Sequence, residues 1–173
     1  MSSKSSPLFY KNTVQDKIYI HPRNLCQDLD GEITRAIEAK VGGICNKDGY
    51  VRKNSVNLLK RSIGLVSNET TNGFVSFDVL YSIDVCNPKN GDIFECVVRL
   101  QNKVGFELEP IIKDKSDKQN PLIILVMKEH TEDKTLLSSI VKDDRVMVKV
   151  VGGKFDLGDD KIKVIGVITS KIK

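Results

Sequence analysis

Phe74 to Pro110 reads FVSFDVLYSIDVCNPKNGDIFECVVRLQNKVGFELEP, and the fold turns on how this stretch is divided. Its first run, Phe74 to Val85, puts apolar residues at Val75, Phe77, Val79, Tyr81, Ile83 and Val85. Strict period two is the pattern of a strand with one buried face. Asn87-Pro88-Lys89-Asn90-Gly91 then breaks the chain with turn residues. A second run alternates again, with Ile93, Glu95, Val97 and Arg99 on one side and Phe94, Cys96, Val98 and Leu100 on the other. A strand mostly apolar on both sides suits a small barrel. Gln101-Asn102-Lys103 turns once more, and Gly105-Phe106 begins a return strand. The stretch therefore closes one domain, residues 1–86, and opens another, residues 87–173.

Toward the N-terminus, residues 1–7 are Ser/Lys-rich and read as disordered. Leu8 to Ile20 reads as a strand ended by His21-Pro22, because proline lacks a donor and restricts the residue before it. Asn24 is a plausible N-cap for a helix carrying Leu25, Leu29, Ile33, Ile37 and Val41 at spacing four, although Asp30-Gly31 allows a later start. Gly42-Gly43 stops it. Ile44 to Val51 reads as strand with a turn at Lys47-Asp48-Gly49, and Val56 to Val66 as one further strand before a polar loop, Ser67 to Gly73. The first half is thus α+β, an antiparallel sheet with one helix on a face.

Toward the C-terminus, Lys113 to Asn120 is a charged loop, Leu122 to Met127 a buried strand, and Glu129 to Lys142 a short helix or irregular loop. Val146, Val148 and Val150 alternate, Gly152 to Asp160 turns, and Ile162 to Ile168 returns. Five strands with a variable insert before the fourth match an OB-fold barrel.

The composition, 40% hydrophobic and 29% charged over 173 residues, is that of a globular chain. No apolar run approaches the roughly 18 residues of a membrane span, and MSSKSSPLFYKN lacks the apolar core of a secretory signal. Cys26, Cys45, Cys86 and Cys96 form no CxxC pair, which argues against a zinc site and for reduced thiols in the cytosol or nucleus. Net charge is +4, split evenly: residues 1–86 hold 11 Lys/Arg against 9 Asp/Glu, and residues 87–173 hold 16 against 14. Charge alone assigns nucleic acid to neither half. Catalytic readings fare poorly. His21 abuts a proline, His130 lies in a charged segment, and Asp143-Asp144 and Asp159-Asp160 sit at turns beside lysines. No phosphate loop or nucleophile motif is present, and no cofactor is expected.

The central stretch resembles the junction in the stalk subunit of multi-subunit RNA polymerases, the family formed by the eukaryotic seventh subunits and their archaeal counterparts. There a run F-x-V-x-Y and an apolar stretch lead through P-x-x-G-[DE] into an RNA-binding OB barrel. Phe77, Val79, Tyr81, Pro88, Gly91 and Asp92 match, followed by Gly105-Phe106-Glu107. Ile18, Ile20, His21 and Pro22 match an earlier motif, and Val41, Gly43, Cys45, Gly49, Tyr50 and Val51 another. The order and spacing of these motifs, through the closing strands Val146 to Ile168, carry the resemblance. The lysine-rich loop before Leu122 and the segment 129–142 depart from the family's pattern, and that divergence suits a polymerase encoded by a large DNA virus.

The resemblance implies a non-catalytic subunit whose first domain docks on the polymerase core near the clamp and whose barrel meets emerging RNA. It also implies a fourth-subunit partner, called F in archaea, no membrane, and a nuclear, cytoplasmic or virion location. Ile63, Gly64, Leu65 and Val66 stand where the family's tip loop meets the core, though they could equally finish a core face. For RNA the expected contacts are Phe106, Arg99, Lys103, Lys113 and Lys128, with Lys115 and Lys118 beside them, since OB folds stack bases on aromatics and track the backbone with lysines, although Phe106 reads equally as a core residue. Lys47, Arg52, Lys53, Lys60 and Arg61 read as an ordinary solvated face. The alternative function is a free-standing OB-fold protein binding single-stranded RNA, such as a translation factor; a metal-dependent nuclease is a distant third.

Overall fold

A computed structural model describes residues 6–66, 73–112, 120–128 and 140–172. Along them run β1 (Tyr10–Ile20), α1 (Leu29–Val41), β2 (Cys45–Asn46), β3 (Gly49–Val51), β4 (Asn57–Arg61), β5 (Leu65–Val66), β6 (Val75–Cys86), β7 (Ile93–Gln101), β8 (Gly105–Pro110), β9 (Leu122–Met127), β10 (Arg145–Lys154) and β11 (Ile162–Ile172). The first six strands form one antiparallel sheet, and the last five close into a barrel ordered β7-β8-β9-β11-β10. The α+β reading with an OB-like barrel is borne out.

β6 is the spine of the sheet. One edge pairs with β1 along its whole length, from Tyr10↔Val85 to Ile20↔Val75. Its other edge takes β5 at Val75–Ser76, β4 at Val79–Ser82 and β3 at Val85–Cys86. The period-two residues Phe77, Val79, Tyr81, Ile83 and Val85 are all buried and face Ile33, Ile37 and Val41 of α1 in one core. The helix starts later than Asn24. Pro22–Asn24 form a 3₁₀ turn, Leu25 is left exposed, and the Asp28 carboxylate caps α1 by accepting from the Gly31 N–H at 3.1 Å. Asp28 supplies an acceptor for the unpaired first-turn donors, where Gly31 is tolerated.

The single strand expected over Val56 to Val66 is two. A bulge between Leu58 and Lys60 and a break at residues 62–64 divide it. Ser62 takes over the ladder there, its N–H donating to the Asp78 carbonyl (2.8 Å) and its Oγ accepting from the Asp78 N–H (3.0 Å). Gly64 then lies flat on Phe77: a Cβ would come within 2.8 Å of the ring.

In the barrel, Phe94, Cys96 and Val98 point inward as their alternation requires, packed with Leu108, Ile124, Val148 and Val164. Leu100 does not follow them. A bulge between Val98 and Leu100 shifts the register, and Leu100 is exposed. β9 and β11 are the barrel's parallel pair.

The two sheets share apolar surface. Cys45, Tyr50 and Cys86, a row across β2, β3 and β6, pack in the barrel's core. The Cys45 N–H donates to the Asp159 carbonyl (2.7 Å), and the Gly158 N–H donates back to the Cys45 carbonyl (2.9 Å). Gly49 lets β3 lie close against the end of β6 at this seam: its φ is +129°, and a Cβ would lie 2.4 Å from the Cys86 carbonyl oxygen. With so short a turn between the two runs, the sequence offers Val85, Cys86 and the His21-Pro22 corner as residues shared by the two halves; Cys86 lies at the junction, whereas Val85 belongs to the helix-side core. His21 is at the far end of the sheet, edge-on to Phe74 at 5.3 Å, because β1 and β6 are antiparallel and Ile20 pairs with Val75. The N-terminal arm also joins in, against the expectation of disorder through residue 7. The Ser6 N–H donates to the Ile93 carbonyl (2.8 Å), and Leu8 and Phe9 pack on the barrel core. Residues 1–5 lie outside the described residues, as do 67–72 of the polar loop.

Candidate functional site

β5 is a two-residue strand at the end of the sheet remote from the barrel, held by pairing to Val75 and Ser76 and by the Ser76 hydroxyl donating to the Leu65 carbonyl at 3.2 Å. That pairing uses the backbone and leaves the side chains outward. Ile63 is 78% exposed, Leu65 57% and Val66 70%, with Gly64 exposed between them. These residues therefore do not finish a core face. Three adjacent bare aliphatic side chains on a rigid edge have the character of a contact patch, because exposed apolar clusters are the informative exception on a protein surface.

The residues expected to contact RNA are only partly assembled. Lys103 and Lys128 share the β7–β8 turn end of the barrel. The Asn102 side chain shapes that turn, its Oδ1 accepting from the Val104 and Gly105 N–H groups at 3.1 and 2.8 Å. Lys128 Nζ donates to the Asn102 carbonyl at 2.8 Å. Arg99 lies further along β7, its Nε donating to the Glu109 carboxylate of β8 at 2.9 Å. Phe106 is a core residue, 2% exposed, with Lys128 Nζ 5.5 Å from its ring centroid. A ring inside the barrel and capped by an ammonium offers no open face for a base. Lys113, with Lys115 and Lys118, lies outside the described residues, as does His130. What remains is a small basic end framed by exposed Leu100 and Val104.

The buried thiols of the junction and the barrel core are held neutral. Burial pushes the Cys45 thiol up to about 11 and that of Cys96 to about 12, and Cys86, beside Cys45, further still. Cys26 is the exposed thiol. Among the described residues no three His, Cys, Asp or Glu are placed to hold a metal ion, and no helix is long and apolar enough to cross a membrane.

No family model matches the chain. Against DNA-directed RNA polymerase II subunit RPB7 of Glycine max it is 28% identical over 182 residues, covering 93% of this chain and 97% of that protein. The chain is similar to polymerase seventh subunits. Subunit 7 of RNA polymerase II from Arabidopsis thaliana is 31% identical over 104 residues, 59% of this chain and 57% of that one. A viral relative exists too: a chain provisionally named DNA-directed RNA polymerase subunit L376, of Acanthamoeba polyphaga mimivirus, is 24% identical over 91% of this chain and 80% of that one. The resemblance read from the Phe74–Pro110 stretch thus extends over nearly the whole seventh-subunit relative from Glycine max. The motif residues serve the frame: Phe77, Val79 and Tyr81 form the helix-side core, and Gly49, Tyr50 and Cys45 form the seam with the barrel.

Proposed function

We propose that the chain is a non-catalytic stalk subunit of a DNA-directed RNA polymerase. The helix-and-sheet domain docks on the core enzyme near its clamp through Ile63, Gly64, Leu65 and Val66, and the barrel meets emerging RNA. The observation that carries the reading is similarity to RPB7 of Glycine max across 93% of this chain. The bare aliphatic edge at β5 supports the docking surface, since buried aliphatic anchors are what a protein contact exploits. The partners are the core polymerase subunits, with a fourth-subunit companion along the stalk.

Leu65→Asp with Val66→Asp tests the docking. The double variant is expected to lose co-purification with the large polymerase subunits while the isolated protein keeps its thermal midpoint, because both side chains are already in water. Unfolding of the isolated variant, or unchanged co-purification, would remove β5 from the contact.

RNA contact is proposed through Lys103 and Lys128 at the basic end, with Arg99 further along β7 and with Lys113, which lies outside the described residues, and without stacking on Phe106. With no aromatic platform, binding is weak, sequence-tolerant and largely counterion release. At ~0.7 ions per phosphate, three lysines give a log–log salt slope of about −2 for a single-stranded RNA. A titration of the full chain against an oligouridine across a salt series reads this directly, and absence of binding at low salt would end it.

A further inference from the structure

A second bare surface lies on the outer face of β9, β10 and β11, on neither the β5 edge nor the β7–β8 turn. Leu125 of β9 is the Cα partner of Ile165 of β11, and Ile165 is the partner of Gly152 of β10. All three face outward. Leu125 is 37% exposed, Ile165 42%, and Val151, the extra residue of a bulge between Val150 and Gly152, 49%. A bulge re-aims its side chain, and here it adds Val151 to the patch. Gly152 leaves open space beside Ile165, since a Cβ there would meet nothing within 4 Å. Ile123 and Val167, half-buried, extend the strip at either end.

The rim is charged and lopsided. Lys149 pairs across the ladder with Val167, and Lys154 stands directly opposite Lys163. All three lysines are exposed and make no ion pair among the described residues. Like charges directly opposite on paired strands are unfavourable, so this arrangement costs the isolated protein stability. None of the hairpin carboxylates forms an ion pair with these lysines among the described residues, and Asp159 accepts from the Asp156 N–H at 3.0 Å within its own loop. On the opposite, β8 side of the strip stands Glu107, partner of Leu125.

We propose that this face docks an amphipathic protein segment whose apolar side chains cover Leu125, Ile165 and Val151 and whose carboxylates lie over Lys149, Lys154 and Lys163. The inference goes beyond the stalk reading and does not need the partner to be a polymerase subunit. Charge complementarity names the occupant: unpaired lysines on one side and Glu107 on the other orient an acidic segment in one direction. RNA fits less well. The patch has no exposed ring on which a base can stack, and Phe155, next to Lys154, packs against the barrel core.

The test places a benzophenone amino acid at position 151 of the affinity-tagged full chain, purifies the complex it enters and irradiates it. The expected product is a crosslink to a polypeptide segment carrying Asp or Glu beside apolar residues. Lys163→Glu is expected to cut the yield at least fivefold while the midpoint of the isolated protein holds or rises, since opposite charges then face each other across β10–β11. Lys149→Glu is expected to cut it likewise. Crosslinks to RNA alone, to a segment without carboxylates or to nothing would overturn the proposal. So would a yield indifferent to both variants, or one lost only together with the fold. The mass of the crosslinked chain reports separately whether the partner belongs to a polymerase.

Discussion

Single side chains here are set by what lies within a few ångströms of them. Cys86 and Cys96 are walled in by the barrel's aliphatic residues, and burial holds both thiols neutral well above the ordinary range. A disulfide-based thiol probe at pH 8 is therefore expected to titrate Cys26 quickly and the other three only on unfolding; fast labelling of a second cysteine would mean that the seam opens readily. The raised pKa values also give a sign. Below about pH 9 these thiols are neutral folded and unfolded, so their contribution is intact. It is lost as pH rises from there toward the folded values, because only the unfolded chain ionises freely. Urea midpoints at pH 8 and pH 10.5 are expected to differ less in Cys86→Ala than in the unmodified chain. Gly64 is set as closely. A side chain there drives into Phe77 and Val75, and Gly64→Val is expected to lower stability by about 1–3 kcal/mol in denaturant unfolding.

Among the elements, α1 owes its start to Asp28 and its position to Ile33 and Ile37. Asp28→Ala removes the acceptor for the Gly31 N–H and leaves the buried stripe intact. The expected cost is about 1 kcal/mol, the usual loss for an N-cap. A circular-dichroism melt checks it; no change would mean that the Leu29–Val41 packing alone positions the helix. The β4–β5 edge behaves differently. Its bulge and its break at Ser62 turn three aliphatic side chains out to water, and a continuous strand would have carried some of them back to the core face.

For the molecule as a whole, the seam decides whether two domains move as one. Cys45, Tyr50 and Cys86 lie in the barrel core, backbone hydrogen bonds join Cys45 to Gly158 and Asp159, and Ser6 ties the N-terminal arm to β7. Opening the hinge would expose this apolar surface and leave backbone groups unpaired. A single cooperative thermal transition is expected for the full chain, with Leu8→Ala plus Phe9→Ala lowering its midpoint without splitting it. Two transitions in calorimetry would show that the halves are independent.

The local pattern alone located most strands and the helix of this protein, though not the start of α1 at Leu29 or the division of β4 from β5. Val75 to Val85 alternates because one face of β6 is buried along its length, and Ile33, Ile37 and Val41 repeat because one side of α1 is. Those are properties of neighbouring residues, readable without a partner, and so were the turn at Pro88 to Gly91 and the motifs shared with seventh subunits. Facing was a different matter wherever both sides of a strand are apolar or a bulge intervenes. Phe106 reads equally as core or stacking platform until β9 brings Lys128 over its ring. Leu100 leaves its row because β8 pairs with a bulge. Val151, Ile165 and Leu125 become one patch, and Lys154 meets Lys163, only because β10, β11 and β9 lie side by side in a particular register. Alternation specifies that a strand has two faces; the closure of the barrel, which pairs residues far apart in the chain, decides which face is inside.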